Sequence, residues 1–166
     1  MTEEREGFRQ DLIRLLPELR AFARFLTRDP TAADDLVQDT LLRALRNEAQ
    51  WAPGTSLKAW TFTILRNAFL EARRKAGARQ RLLDSVTMTE ATPAGQEARM
   101  ELAGLAQALS TLPREQQEAI VLVGALGLSS EEAAAVAGVA VGTLKARVSR
   151  GRRVLGTRFE RPLEDS

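Results

Sequence analysis

Between Val139 and Leu155 the sequence places Lys145, Arg147, Arg150, Arg152 and Arg153, and no acid. The whole chain is nearly balanced, with 24 basic against 22 acidic residues. Guanidinium groups present a planar fork of donors that fits phosphate oxygens and the edge of guanine. At about 100° per residue, Val141, Leu144, Val148 and Leu155 form one apolar stripe of a helix. Gly142, Thr143, Ala146, Ser149, Arg150 and Arg153 then face the other way, flanked by Lys145, Arg147 and Arg152. Small side chains among arginines let a helix sit deep in a major groove, while the longer cations reach phosphates. From 141 to 161 only Glu160 opposes this charge. The competing explanation is a solvated basic helix with no ligand.

A second basic stretch holds Arg66, Arg73, Arg74, Lys75, Arg79 and Arg81, with Glu71 as its one acid. Trp51 and Trp60 lie upstream, and Asn67 follows Trp60 by two helical turns. Asparagine is a poor residue inside a helix unless its amide is used. An aromatic, an amide and a run of cations can hold unpaired bases by stacking and hydrogen bonding. Trp60 itself reads better as core than as a platform for a base. A third constellation is acidic. Asp34, Asp35, Gln38, Asp39 and Arg46 share the polar face of one helix, with Leu42 in its middle and Val37, Leu41 and Ala44 behind. A leucine set among carboxylates suits docking of a basic protein partner. A metal at Asp35 and Asp39 is disfavoured, because no histidine or cysteine and no third clustered ligand supports it.

The sequence has no cysteine and no histidine. That removes the thiol nucleophile, the thiolate metal site and the commonest general base. No catalytic residues, metal or cofactor are expected. No apolar run reaches the ~20 residues that span a bilayer, and "MTEEREGFRQ" lacks the apolar centre of a signal peptide. The expectation is a cytoplasmic protein that is not an enzyme and touches no membrane. Only Lys58, Lys75 and Lys145 are lysines; a GC-rich genome accounts for an arginine bias as readily as function does.

Helical spacing dominates the elements that must carry these residues, and the fold class is all-α. Phe8, Leu12, Leu15, Leu19, Phe22 and Leu26 make one stripe, broken or restarted at Pro17. Asp29 and Pro30 open the next helix, with carboxylates in its first turn and an end near Asn47. "QWAPGTS" is a loop, and a largely apolar helix follows from about Ser56 to Ala76, the centre of a small bundle. Periodicity is lost over 77–98, which reads as a partly disordered linker. A helix over 100–112 comes next, then one from Pro113 to about Gly127. "LSSEEAAAVAG" opens on a capping box at Ser129 and Glu132 and stops at Gly138. The last helix runs from about Val141 to Arg158. Ala134 lies four residues before Gly138 and Leu144 six after it, which is helix-turn-helix spacing. Two small helical domains at 1–77 and 99–166, joined by a flexible linker at 78–98, are expected.

With these segments assembled, the chain resembles a two-domain bacterial RNA polymerase sigma factor of the extracytoplasmic-function class, and within it the general-stress-response group of alphaproteobacteria. The resemblance rests on "LRAFARFLTRDPTAADDLVQDTLLRAL", "WAPGTSLKAWTFTILRN" and "LGLSSEEAAAVAGVAVGTLKARVSRGRRVL", in that order. It implies that Asp34, Asp35, Gln38, Asp39, Leu42 and Arg46 bind core polymerase at the clamp helices of its largest subunit. It implies that the region ending in Arg66 and Asn67 opens and holds the −10 element, with Trp51 in the loop that lines the pocket for a flipped base and Asn67 at a base contact; Arg73 and Arg74 of the same basic stretch are expected to bind that DNA with them. It implies that Lys145, Ala146, Ser149 and Arg150 occupy the positions that read the −35 element, in a domain that also meets the β-subunit flap; Thr143, Arg147 and Arg153 on and beside the same face are expected to bind that DNA with them. An anti-sigma partner, and a free monomer, follow from the same likeness. Gly151 departs from the alanine that relatives often carry there. It costs up to ~1 kcal/mol of helix propensity and weakens the expectation for the end of that helix. Two rival functions remain: a sigma-like decoy that sequesters an anti-sigma factor, and a stand-alone helix-turn-helix regulator. The decoy has no need of the basic face at 145–153, and the regulator needs a dimerisation or effector segment that the sequence does not display.

Overall fold

A computed structural model describes residues 2–82, 104 and 107–159. Its contacts divide the chain into two compact units, Met1–Ala94 and Gly95–Ser166. Every regular element among the described residues is helical.

The first unit contains α1 (Thr2–Arg14), α2 (Leu16–Thr27), α3 (Pro30–Arg46), a short 3-10 turn (Glu48–Gln50) and α4 (Leu57–Leu82). Pro17 restarts the chain as expected: α1 ends at Arg14, and proline occupies the first turn of α2, where its missing N–H costs nothing. Phe8, Leu12, Leu19, Phe22 and Leu26 of the predicted stripe are buried. Asp29 caps α3, accepting from the Thr31 N–H at 3.1 Å. The first turn of α3 carries no acid, contrary to expectation; Asp34 and Asp35 fall one turn later, where they serve the surface rather than the helix dipole. Ser56 starts α4 by accepting from the Ala59 N–H at 3.1 Å.

Phe62, Leu65 and Ala68 are buried apolar residues of α4, and α4 packs on both α2 and α3. Phe62 meets Phe22 at 5.4 Å between ring centroids. Thr40 and Thr61 are buried too, each returning its hydroxyl to the carbonyl one turn back at 2.7 Å. That bond removes the desolvation cost of an unpaired hydroxyl. α4 runs to Leu82 instead of ending near Ala76. Its last turns are polar, so apolar periodicity stops while good helix formers (Ala, Arg, Gln, Leu) carry the backbone on. At 26 residues it spans about 39 Å. The remainder of the expected linker, and residues 100–103, 105 and 106 of the expected helix over 100–112, lie outside the described residues.

The second unit has helical residues at 107–110, then α5 (Arg114–Ile120), a π-helical turn (Val121–Ala125), α6 (Ser130–Ala137) and α7 (Val141–Phe159). One continuous helix was expected from Pro113 to Gly127. Instead the Leu126 N–H bonds to the Val121 carbonyl at 2.9 Å, a five-residue step that widens the last turn. Leu122, Leu126 and Leu128 are thereby all buried. Gln117 is also buried and donates from Nε2 to the Leu112 carbonyl at 2.9 Å, tying α5 to the preceding segment.

The capping box of α6 forms as read. Ser129 Oγ accepts from the Glu132 N–H at 3.1 Å, and Glu132 Oε1 accepts from the Ser129 N–H at 3.2 Å. Gly138 ends the helix at φ 70°, the left-handed conformation in which a side chain is strained. Replacing Ser129 with alanine is expected to destabilise this unit by about 1 kcal/mol. Chemical denaturation of the full chain checks this, with a lowered midpoint at unchanged slope.

Candidate nucleic-acid and partner interfaces

In the second unit Gly138 turns the chain between α6 and α7. Ala134 and Leu144 are both buried at that corner, 2 % and 1 % exposed, as the spacing required. The stripe beneath α7 differs from expectation. Leu144, Val148 and Gly151 are buried, whereas Val141 and Leu155 are only partly covered. The cause is the approach of α5. A Cβ placed on Gly151 would lie 2.3 Å from Ile120 Cδ1 and 3.5 Å from Leu112 Cδ1. Glycine is therefore a contact surface here, and the helix continues past it to Phe159.

Thr143, Lys145, Ser149, Arg150, Arg152 and Arg153 are exposed together on α7, with Gly142 among them. Ala146 and Arg147 are partly covered. Arg147 turns toward α5 and pairs with Glu115 at 3.6 Å, its side chain 22 % exposed. The open face is thus a row of small polar side chains and free-standing cations, a shape that enters a groove and meets both base edges and phosphates.

In the first unit Asp34, Asp35, Gln38, Leu42 and Arg46 are exposed along α3, and Asp39 is half-buried beside them. Leu42 is 52 % exposed and Leu45 40 %, so two leucines emerge where one was foreseen. Val37 and Ala44 are buried and Leu41 partly so. Asp39 Oδ2 lies 3.2 Å from Arg43 Nε, and Arg43 Nη2 donates to Glu71 Oε2 of α4 at 2.8 Å. Arg43 thus ties the acidic face of α3 to the basic stretch of α4. Sequence reasoning passed over it. Its spacing from Asp39 was a helical i,i+4 pair in plain view, but Glu71 is 28 positions away and carried no signal. The Arg43 guanidinium holds the Glu71 carboxyl below its usual range, with Lys75 and Arg74 adding smaller effects in the same direction.

On α4, Asn67, Arg73, Arg74 and Lys75 are exposed and Arg66 is partly covered. Arg73 lies over the Phe69 ring at 5.7 Å, which fixes the direction of its guanidinium. Trp60 is partly buried and meets Phe8 edge-on at 6.1 Å, the core role favoured for it. Trp51 also packs on Phe8, at 5.7 Å, in the cluster that holds Leu12, Ala44, Leu57 and Ile64. Its indole N–H is buried without a hydrogen-bond partner. The structure therefore brings Asn67 and the arginines onto one helix, with Trp51 on the loop before it and its ring facing inward. No group of three or more potential metal ligands occurs among the described residues, and no described helix is long and apolar enough to cross a membrane.

Comparisons with known proteins agree with this arrangement. Residues 12–79 match the family Sigma-70 region 2 and residues 102–155 match Sigma-70, region 4. The chain is 47 % identical over 151 residues to the ECF RNA polymerase sigma factor EcfG of Rhodopseudomonas palustris, covering 90 % of this chain and 83 % of that one. It is similar to the solved sigma factor RpoE in complex with the anti-sigma factor NepR from Bartonella quintana, with a TM-score of 0.79 and 43 % identity over 94 % of this chain and 99 % of that one. It is also similar to CnrH in complex with the cytosolic domain of CnrY, with a TM-score of 0.67 and 30 % identity over 93 % and 88 % of the two chains. A helix-turn-helix with an open basic face and a second bundle with an acidic and a basic helix are thus explained together: the chain belongs to the extracytoplasmic-function RNA polymerase sigma factors, which bring core polymerase to promoter DNA.

Proposed function

We propose that the two units divide the work of a sigma factor, residue by residue, as follows. Asp34, Asp35, Gln38, Asp39, Leu42 and Arg46 on α3 dock on the clamp helices of the largest polymerase subunit. Trp51, Arg66, Asn67, Arg73 and Arg74 hold the −10 element. Thr143, Lys145, Ala146, Arg147, Ser149, Arg150 and Arg153 meet the −35 element, and the same unit contacts the β-subunit flap. The domains are 1–77 and 99–166, with 78–98 between them. The protein works in the cytoplasm and is not itself an enzyme; polymerase supplies the catalysis. The observation that carries this reading is the open face of α7, where exposed cations alternate with small side chains above a capped, glycine-turned corner. Control by an anti-sigma partner in a stress response is supported by the solved relatives, each bound to a partner of its own.

Abortive transcription by core polymerase on a promoter library, with and without the protein, tests the reading. Stimulation confined to promoters that share two spaced elements is the expected result. Arg150 sharpens the test, because its fork faces outward and matches guanine O6 and N7. Arg150→Ala is expected to cost about 1–3 kcal/mol on the preferred −35 sequence, roughly 5- to 150-fold, and to relax preference at one base pair. An unchanged base preference removes Arg150 as a reader. Arg147→Ala is expected to act more weakly on base choice, since that side chain is shared with Glu115.

A further inference from the structure

The basic stretch of α4 contains one acid, and that acid is held from another helix. Between Arg66 and Arg79 the only carboxylate is Glu71. Arg43 of α3 donates to its Oε2 at 2.8 Å, while the same guanidinium stands 3.2 Å from Asp39. All three side chains are partly open to solvent, Arg43 33 %, Asp39 46 % and Glu71 43 % exposed. In a helix, a glutamate four residues before a lysine is well placed to pair with it, and Glu71 precedes Arg74 by three residues and Lys75 by four. We infer that Arg43 is a positioning residue for promoter binding: it occupies Glu71, so that Arg74 and Lys75 stay available to phosphates and the strip presents no uncompensated anion to DNA.

This inference rests on the reading of the α4 strip as a DNA-binding surface. The depressed carboxyl of Glu71, which feels Arg43 most and Lys75 and Arg74 next, agrees with the geometry. If Arg43 is removed, Glu71 turns to Arg74 and Lys75 within its own helix. The charge of one of these cations is then compensated within the helix and withdrawn from the DNA. A tie that merely holds α3 to α4 behaves differently, because it is lost equally when either partner is neutralised.

The experiment uses holoenzyme formed at saturating sigma, titrated with a fluorescent promoter fragment carrying the −10 element at several salt concentrations. Arg43→Gln is expected to weaken binding about 3- to 10-fold and to flatten the salt slope by about one unit, the signature of a lost phosphate contact. Glu71→Gln is expected to bind as tightly as the unaltered protein or more tightly. The double variant, with Arg43→Gln and Glu71→Gln, is expected to return to the Glu71→Gln value. Equal losses in the two single variants mean that the pair is a structural tie and overturn the inference, as does unchanged binding and slope in Arg43→Gln. A combined Arg73→Ala and Arg74→Ala variant separates the two levels. If it binds DNA normally, the strip reading fails and the role of Arg43 falls with it. If it binds poorly while Arg43→Gln binds normally, only the role of Arg43 fails. Thermal melts of each variant show whether the first unit remains folded, and the Glu71→Gln rescue still discriminates if Arg43→Gln melts somewhat lower.

Discussion

Asp39→Arg is expected to abolish assembly of the holoenzyme while leaving the protein folded. Asp39 is half-exposed on α3, and its neighbours Asp34, Asp35 and Gln38 are exposed, with Leu42 standing out among them. A basic partner surface that meets these carboxylates is repelled by a cation at their centre. Charge reversal at an interface costs several kcal/mol, about 1.4 kcal/mol for each tenfold in affinity. The effect on folding is small by comparison. The pair with Arg43 is a partly exposed i,i+4 contact, worth about 0.3–0.5 kcal/mol, and Arg43 keeps Glu71. Co-elution with core polymerase and circular dichroism check both halves. Normal co-elution shows that the docking face lies elsewhere; lost helicity shows that Asp39 supports the fold. Asp39→Asn keeps the shape and removes only the charge, so it is expected to fall between the two.

Gly151→Leu is expected to unfold the second unit at far lower temperature and to remove −35 binding with it. The position is buried on α7. A Cβ alone would come within 2.3 Å of Ile120 Cδ1 and 3.2 Å of its Cγ1, with Leu112 Cδ1 behind at 3.5 Å. A full leucine must push α5 from α7, and such overpacking costs about 1–3 kcal/mol. In a unit this small, each 1 kcal/mol lowers Tm by about 4–8 °C. Gly151→Ala is the informative contrast. It gains up to ~1 kcal/mol of helix propensity and asks only that the flexible end of Ile120 turn aside, so its melt is expected to stay close to that of the native protein. A leucine variant that melts normally means that the two helices can slide apart at no cost.

Local chemistry made much of the molecule legible. Pro17, Asp29 with Pro30, Ser129 with Glu132, and Gly138 each act through their own backbone and the next turn, so their effects survive in any tertiary setting. The exposed row on α7 was legible for a related reason: with Leu144 and Val148 committed to the core, helical rotation alone sends Thr143, Ser149, Arg150 and Arg153 outward. The exposed acidic face of α3 followed in the same way from buried Val37 and Ala44.

Only tertiary structure decided the rest, because the deciding neighbour lay far off in sequence. Gly151 looked like a weak point in a helix; with α5 against it, it is the place where the Ile120 side chain seats on the backbone of α7. Trp51 was placed in its loop by the sequence, but its packing on Phe8 depends on α1, more than forty positions away. Arg147 stood at the flank of the basic face by rotation, but its pairing there with Glu115 needed α5 alongside. The π-helical turn after Ile120 lets three leucines reach one core, a demand that no window of the sequence expresses. Arg43 had a visible partner in Asp39, but its bond to Glu71 exists only because α3 and α4 pack side by side. Periodicity reports which way a side chain leaves its own helix; what it finds there is set by the helix that arrives to meet it.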